Sequence, residues 1–123
     1  MGSMHYNIKG TGLEVSAELR EYAEKRLTAT DKFLRDDPTA HAAVELERQP
    51  LRDGKHYRAE FTLSARGATY RAEEWGDTMH EAIDLAMGEL LGELRQTKKK
   101  KLRLFRHAGS RVKEYLRGWR NKV

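Results

Sequence analysis

The sequence predicts an α+β domain: a four-stranded sheet with two helices packed on one face, in the order β-α-β-β-β-α, followed by a basic helical C-terminal extension. Three observations predict it. Short stretches of period-two hydrophobic alternation lie on both sides of a stretch with helical spacing. A second and longer helical stripe follows the last alternating stretch. The charge is also split. Residues 1–94 hold twelve lysines and arginines against eighteen acids, a net −6, whereas residues 95–123 hold twelve against the single acid Glu114, a net +11.

In the first element Tyr6 and Ile8 alternate with polar neighbours, and Gly10 and Gly12 then break the strand. Ser16 is the expected N-cap of the first helix. Leu19, Tyr22, Ala23, Leu27, Thr30, Phe33 and Leu34 form its apolar stripe, and the helix should end near Arg35, ahead of Asp37-Pro38. Three strands follow. Ala42, Val44 and Leu46 form one inward set, Tyr57, Ala59, Phe61 and Leu63 the next, and Ala68, Tyr70 and Ala72 the last. Turns at Asp53-Gly54 and Gly67 make them an antiparallel meander with one buried and one wet face. The first helix gives room for a right-handed crossover, which sets strands one and two parallel.

The second helix should begin at Asp77 or Thr78, where Thr78 and Glu81 have capping-box spacing. Met79, Ala82, Ile83, Ala86, Leu90 and Leu94 form its stripe. Ile83, Leu90, Phe61 and Leu27 are the expected core. The helix could run into the lysines at 98–101, and Gly109-Ser110 should interrupt it. Val112, Tyr115, Leu116 and Trp119 have the spacing of a short terminal amphipathic helix.

The 123 residues suit one folded body without a disulfide staple, and there is no cysteine. Thiol catalysis and thiolate metal sites are therefore excluded. Mean hydropathy is −0.85, and no apolar run nears the roughly 20 residues of a membrane span. No secretory signal is read, and Met1-Gly2-Ser3 ahead of Met4 reads as an expression remnant. The histidines His5, His41, His56, His80 and His107 lack metal-site spacing. Ser16, Ser64 and Ser110 stand in no nucleophile context, and Gly10-Thr-Gly12 is no phosphate loop. No carboxylate pair is singled out. The expectation is a protein that is not an enzyme, with no cofactor, no metal and no small-molecule substrate.

The basic segment points instead to a polyanion. It contains Arg95, Lys98, Lys99, Lys100, Lys101, Arg103 and Arg106, with Phe105, Tyr115 and Trp119 interleaved. Lysine and arginine neutralise phosphates and release counterions, and aromatics can stack on unpaired bases. The bland alternatives are a solvated tail, or aromatics that dock on the body. One acid cannot pair four adjacent lysines.

The residues also resemble a known family, the ribosome hibernation-promoting factors, also called ribosome-associated inhibitors or ribosomal subunit interface proteins. The likeness lies in Ile8-Lys-Gly10, in Leu13-Glu-Val-Ser-Ala-Glu-Leu-Arg20-Glu-Tyr22 with Lys25-Arg26-Leu27, and most clearly in Asp77-Thr-Met79-His-Glu-Ala82-Ile83-Asp84. It covers about residues 5–101. It implies a fold like that of double-stranded-RNA-binding domains, over residues 4–101, with residues 102–123 as a basic extension. It further implies binding to the small ribosomal subunit through rRNA at the decoding region, translation inhibition by occupancy, and a cytoplasmic, stress-linked role in silencing idle ribosomes. A short member of this kind would be monomeric off the ribosome, lack the separate dimerisation domain of long members and leave membranes alone. The rRNA-binding residues the resemblance implies are Arg20, Lys25, Arg26 and Lys32 on the first helix, then Arg95, Lys98, Lys99, Lys100 and Lys101, with Arg103 and Arg106 following in the basic segment. Departures from the family pattern are Ala29, Glu89 and Gly92 at usually basic positions, and Thr78 and His80 in place of Asp and Tyr. The alternatives are a general RNA-binding domain, and a membrane-surface or partner-binding module that uses the amphipathic tail.

Overall fold

The computed structural model describes residues 5–34, 37–50, 54 and 56–108; from Lys99 onward it describes helical backbone only. Strand β1 (His5–Thr11) is followed by helix α1 (Ala17–Leu27), a 3-10 turn (Thr28–Thr30) and the single turn α2 (Asp31–Leu34). Strands β2 (His41–Arg48), β3 (Tyr57–Ala65) and β4 (Ala68–Gly76) come next, and helix α3 spans Met79–Ala108. The chain divides into two compact units within α3, between Glu93 and Leu94. The sheet, α1, α2 and the first half of α3 belong to the first unit.

The sheet order is β1-β2-β3-β4. β1 and β2 are parallel, as the helical crossover requires, and the other two pairs are antiparallel. Period-two alternation sorts the strands into two faces. Val44, Phe61 and Ala72 lie side by side on the inner face, and all three are buried. Ala42, Leu46, Ala59, Leu63 and Ala65 extend that face, whereas Ala68, expected to point inward, is exposed beside the hairpin turn; Ala23, Leu27, Met79, Ala82, Ile83, Ala86, Met87 and Leu90 of the helices are buried as well. Leu27, Phe61, Ile83 and Leu90, the residues expected in the core, are each no more than 3% exposed.

The helix starts follow local chemistry. Ser16 Oγ accepts from Leu19 N at 3.1 Å, as the N-cap expectation required. At α3, Thr78 Oγ1 accepts from Glu81 N at 3.1 Å, and Glu81 Oε1 accepts from Asp77 N at 2.9 Å. The box thus closes one residue before the cap. Gly76 ends β4 where a Cβ would lie 2.8 Å from Ala82 N, so strand and helix can approach only with glycine there. Arg66 and Gly67 take φ of 54° and 75°, both positive, as a two-residue primed hairpin demands.

The helix end expected near Arg35 lies outside the described residues, and before it the first helical stretch is not one unbroken helix. It tightens at Thr28–Thr30. Thr28 Oγ1 donates to Lys25 O at 2.6 Å, and Thr30 Oγ1 donates to Leu27 O at 2.7 Å. Two hydroxyls that bind the preceding turn compete with the i to i−4 ladder and favour the tighter turn. Thr30 is fully buried, and that bond satisfies its hydroxyl. The interruption expected at Gly109-Ser110 and the terminal helix at 112–119 lie outside the described residues.

Candidate nucleic-acid interface

Charge is arranged differently on the two sides of the sheet. On the open face, register sets Lys9, Glu45, Glu60 and Glu73 in one row across all four strands. Three carboxylates side by side repel one another unless a cation sits among them. Arg58 supplies it from the next row. Its Nη1 lies 2.9 Å from Glu47 and 3.3 Å from Glu45, its Nη2 lies 3.1 Å from Glu60, and its Nε donates to Glu73 at 2.6 Å. Arg71 pairs with Glu60 as well, and Thr11 Oγ1 donates to Glu45 at 2.7 Å. The Arg58 side chain is only 11% exposed. Burial alone would weaken its hold on the proton, but hydrogen bonds to Glu73 and Glu45 and the fields of Glu73 and Glu60 more than reverse that. The Thr11 hydrogen bond, with help from Arg58, holds the Glu45 carboxyl below its usual range. The carboxylates of this face are thus paired within it, while Lys9 is exposed and makes no ion pair among the described residues.

The helices present their charges differently. Arg20, Lys25 and Lys32 are exposed, and among the described residues none has an ion-pair partner. Lys32 Nζ rests 5.2 Å from the Phe33 ring centroid. Arg26 is exposed too, but it is held: its Nε lies 2.9 Å from Asp84 Oδ1, and its Nη2 donates to Tyr22 Oη at 2.8 Å. Tyr22 Oη in turn donates to Asp84 at 2.8 Å. His80 meets Tyr22 edge-on at 4.5 Å between centroids, and its Nε2 lies 2.9 Å from Glu18 Oε1. Glu18, Tyr22 and Arg26 recur every four residues on α1, as do His80 and Asp84 on α3, so one stripe of each helix faces the other. Apolar periodicity assigns Tyr22 to the core stripe. The structure makes it a half-exposed polar bridge, because its ring reaches the rim of the layer while its hydroxyl finds Asp84. The i, i+4 spacing of 18-22-26 and 80-84 was the signal that could have found this group.

Further along α3, Glu89 is exposed and shares a hydrogen bond with Glu74 of β4. That bond, then burial, then the fields of Glu74, Glu93 and Glu73 push Glu89 up to about 6. In the second unit, Arg95 and Lys98 are exposed on the α3 helix. Lys99, Lys100, Lys101, Arg103 and Arg106 continue its helical backbone; their side chains lie outside the described residues. The candidate basic residues therefore fall into two groups, one on α1 and α2 and one in the second unit. Among the described residues, no group of three or more histidines or acids could hold a metal ion. No described helix is long and apolar enough to cross a membrane.

Comparison with known proteins agrees with this architecture. Among curated relatives, the chain is 30% identical over 107 residues to the ribosome hibernation promotion factor of Bacillus subtilis, covering 87% of this chain and 55% of that one. It is 34% identical over 94 residues to the factor of that name from Deinococcus radiodurans, covering 76% and 48%. The chain thus spans about half the length of these relatives. Among solved structures, the N-terminal domain of Thermus thermophilus Protein Y superposes with a TM-score of 0.64 at 29% identity, over 76% of this chain and 97% of that one. A ribosomal subunit interface protein from Coxiella burnetii shares the fold, with a TM-score of 0.65 at 24% identity over 78% and 99%. The Sigma 54 modulation protein / S30EA ribosomal protein family matches residues 6–102, and with 97 of 123 residues inside that match the chain belongs to this family.

Proposed function

We propose that this chain binds the small ribosomal subunit through rRNA, occupies the decoding region and silences idle ribosomes without performing chemistry. The observation that carries the reading is the family match over residues 6–102, whose curated relatives are named for ribosome hibernation. The charge disposition supports it: on the sheet's open face Arg58 is enclosed by carboxylates, while Arg20, Lys25 and Lys32 stay exposed beside the oriented Arg26. Arg95, Lys98, Lys99, Lys100, Lys101, Arg103 and Arg106 supply the second set of phosphate contacts. Residues 102–123 act as a basic extension of the family-like domain. The protein works in the cytoplasm as a monomer, with no cofactor and no small-molecule substrate.

Sedimentation with purified small subunits over a range of salt tests this. Six to ten phosphate contacts would lose roughly a thousand- to a hundred-thousand-fold in affinity between about 50 and 200 mM salt. A flat response speaks for protein–protein contact instead. Messenger or initiator transfer RNA should compete; binding without competition returns the protein to a general RNA-binding domain. Liposome pelleting in the absence of subunit binding would favour a membrane-surface module. Cutting after Leu94 removes the net +11 and leaves −6, which turns long-range attraction into repulsion and should abolish binding. Cutting after Lys101 should spare most of it if the family-like contacts suffice.

A further inference from the structure

We infer that Tyr22 and Asp84 are positioning residues that hold Arg26 as a fixed fork for one backbone phosphate of the RNA. The inference rests on the proposed ribosomal reading and deepens it.

A guanidinium has a side edge, made by Nε and one Nη, and an end edge, made by both Nη atoms. Asp84 and Tyr22 take the side edge of Arg26, at 2.9 Å to Nε and 2.8 Å to Nη2. Arg26 Cζ also lies over the Tyr22 ring, 4.9 Å from its centroid. The Tyr22 hydroxyl lies 2.8 and 2.9 Å from the two Asp84 oxygens and shares its one hydrogen between them, so the carboxylate that orients the arginine is itself oriented. His80 closes against the ring edge at 4.5 Å, and Glu18 holds His80. Nη1 has no partner among the described residues, and the Arg26 side chain remains 48% exposed. The end edge thus faces outward with two parallel N–H directions available. That is the geometry of bidentate phosphate recognition, which a lysine cannot reproduce.

Orientation has a cost here: Asp84 places a negative charge beside a surface meant for a polyanion. Simple charge counting and positioning therefore predict opposite signs for one substitution. Asp84→Asn raises the net charge by one, so charge counting expects tighter binding. Positioning expects weaker binding, because the guanidinium loses its charged anchor and must be ordered anew by the phosphate.

The experiment measures the affinity of the full chain for small subunits, and separately for a duplex RNA of about 16 base pairs, a length a double-stranded-RNA-binding domain spans, at several salt concentrations. Melting temperature is recorded for every variant. Asp84→Asn is expected to weaken binding three- to tenfold, and Tyr22→Phe, which keeps the ring, by a smaller factor. Arg26→Ala should weaken binding and lower the salt slope by about one. Arg26→Lys should not restore it. In the Arg26→Ala background, Asp84→Asn should have no weakening effect, because its target is gone. Unchanged or tighter binding of Asp84→Asn overturns the inference. So does an equal weakening with and without Arg26, which would make the group a mere staple between helices. If Asp84→Asn does not fold, Tyr22→Phe and Arg26→Lys decide on the same criteria. A wild-type chain that binds duplex RNA but not subunits sinks the ribosomal reading alone, and the variants are then ranked on duplex RNA. A wild-type chain that binds neither sinks both.

Discussion

On the open face of the sheet the carboxylates are paired within the face, whereas the outer side of the helices presents exposed cations. On the sheet, Arg58 lies within 3.3 Å of four carboxylates and is almost enclosed by them. On the helices, Arg20 and Lys25 stand in solvent with no ion-pair partner among the described residues. Arg26 lies between these cases, with one edge taken and one open. The difference teaches that a cation count does not locate a polyanion surface. A guanidinium surrounded by carboxylates adds little outward field, whereas a lone exposed lysine keeps nearly all of its own.

Substitutions can break or sharpen this contrast. The largest effect should come from the layer on which both sides are built. Leu90 is fully buried, so Leu90→Ala should cost about 2–5 kcal/mol and damage both sides together in urea unfolding. A loss under about 0.5 kcal/mol, the scale of a surface change, would mean the helix is misplaced. Arg58→Met comes next. It leaves Glu45, Glu47, Glu60 and Glu73 facing one another, and about 2–3 kcal/mol of stability should be lost with little change in RNA affinity. If affinity fell as much as stability, the two sides would not be separable. Lys25→Ala should do the reverse: melting stays within about 0.5 kcal/mol of wild type, and RNA binding weakens with a salt slope shallower by about one.

The smallest effect concerns Glu89. Its folded value of about 6 lies above the ordinary 4.5. The folded state therefore holds that proton more tightly. The stability this adds is complete below about pH 4.5 and is lost as pH rises through about 6. Glu89→Gln should raise stability at pH 7 by only about 0.3 kcal/mol, given the exposure of the pair, and flatten the difference in melting between pH 5 and 7. An unaltered pH profile would dissolve the pair. At Glu45 the sign is opposite: its lowered value contributes stability at neutral pH that is lost on acidification.

Much of the fold was legible because burial imposes a period. Alternation at 42-44-46 and 59-61-63 marked the inner face, and both caps were readable from a hydroxyl three residues ahead of the amide it binds. Periodicity predicts one unbroken first helix, but the Thr28 and Thr30 hydroxyls compete with it through bonds that periodicity does not register. The candidate basic residues were readable as types, and Arg20, Lys25, Lys32, Arg95 and Lys98 are exposed in the structure. The ties on Arg26 were not readable, since Tyr22 counts as apolar in any stripe and Asp84 is 62 residues away.

The sequence by itself determined the element order, the inward face of each strand, the helix starts and the split between an acidic body and a basic C-terminal end. These follow from local rules of period, capping and charge count, which operate within a few residues. Only the tertiary structure decided which cations are neutralised. Pairing requires two side chains to reach within about 4 Å. Register across β2, β3 and β4 brings four carboxylates to Arg58, and the common sheet face brings α3 to α1 so that Asp84 meets Arg26. Those distances are set by how the elements pack, a non-local property that no window of sequence contains.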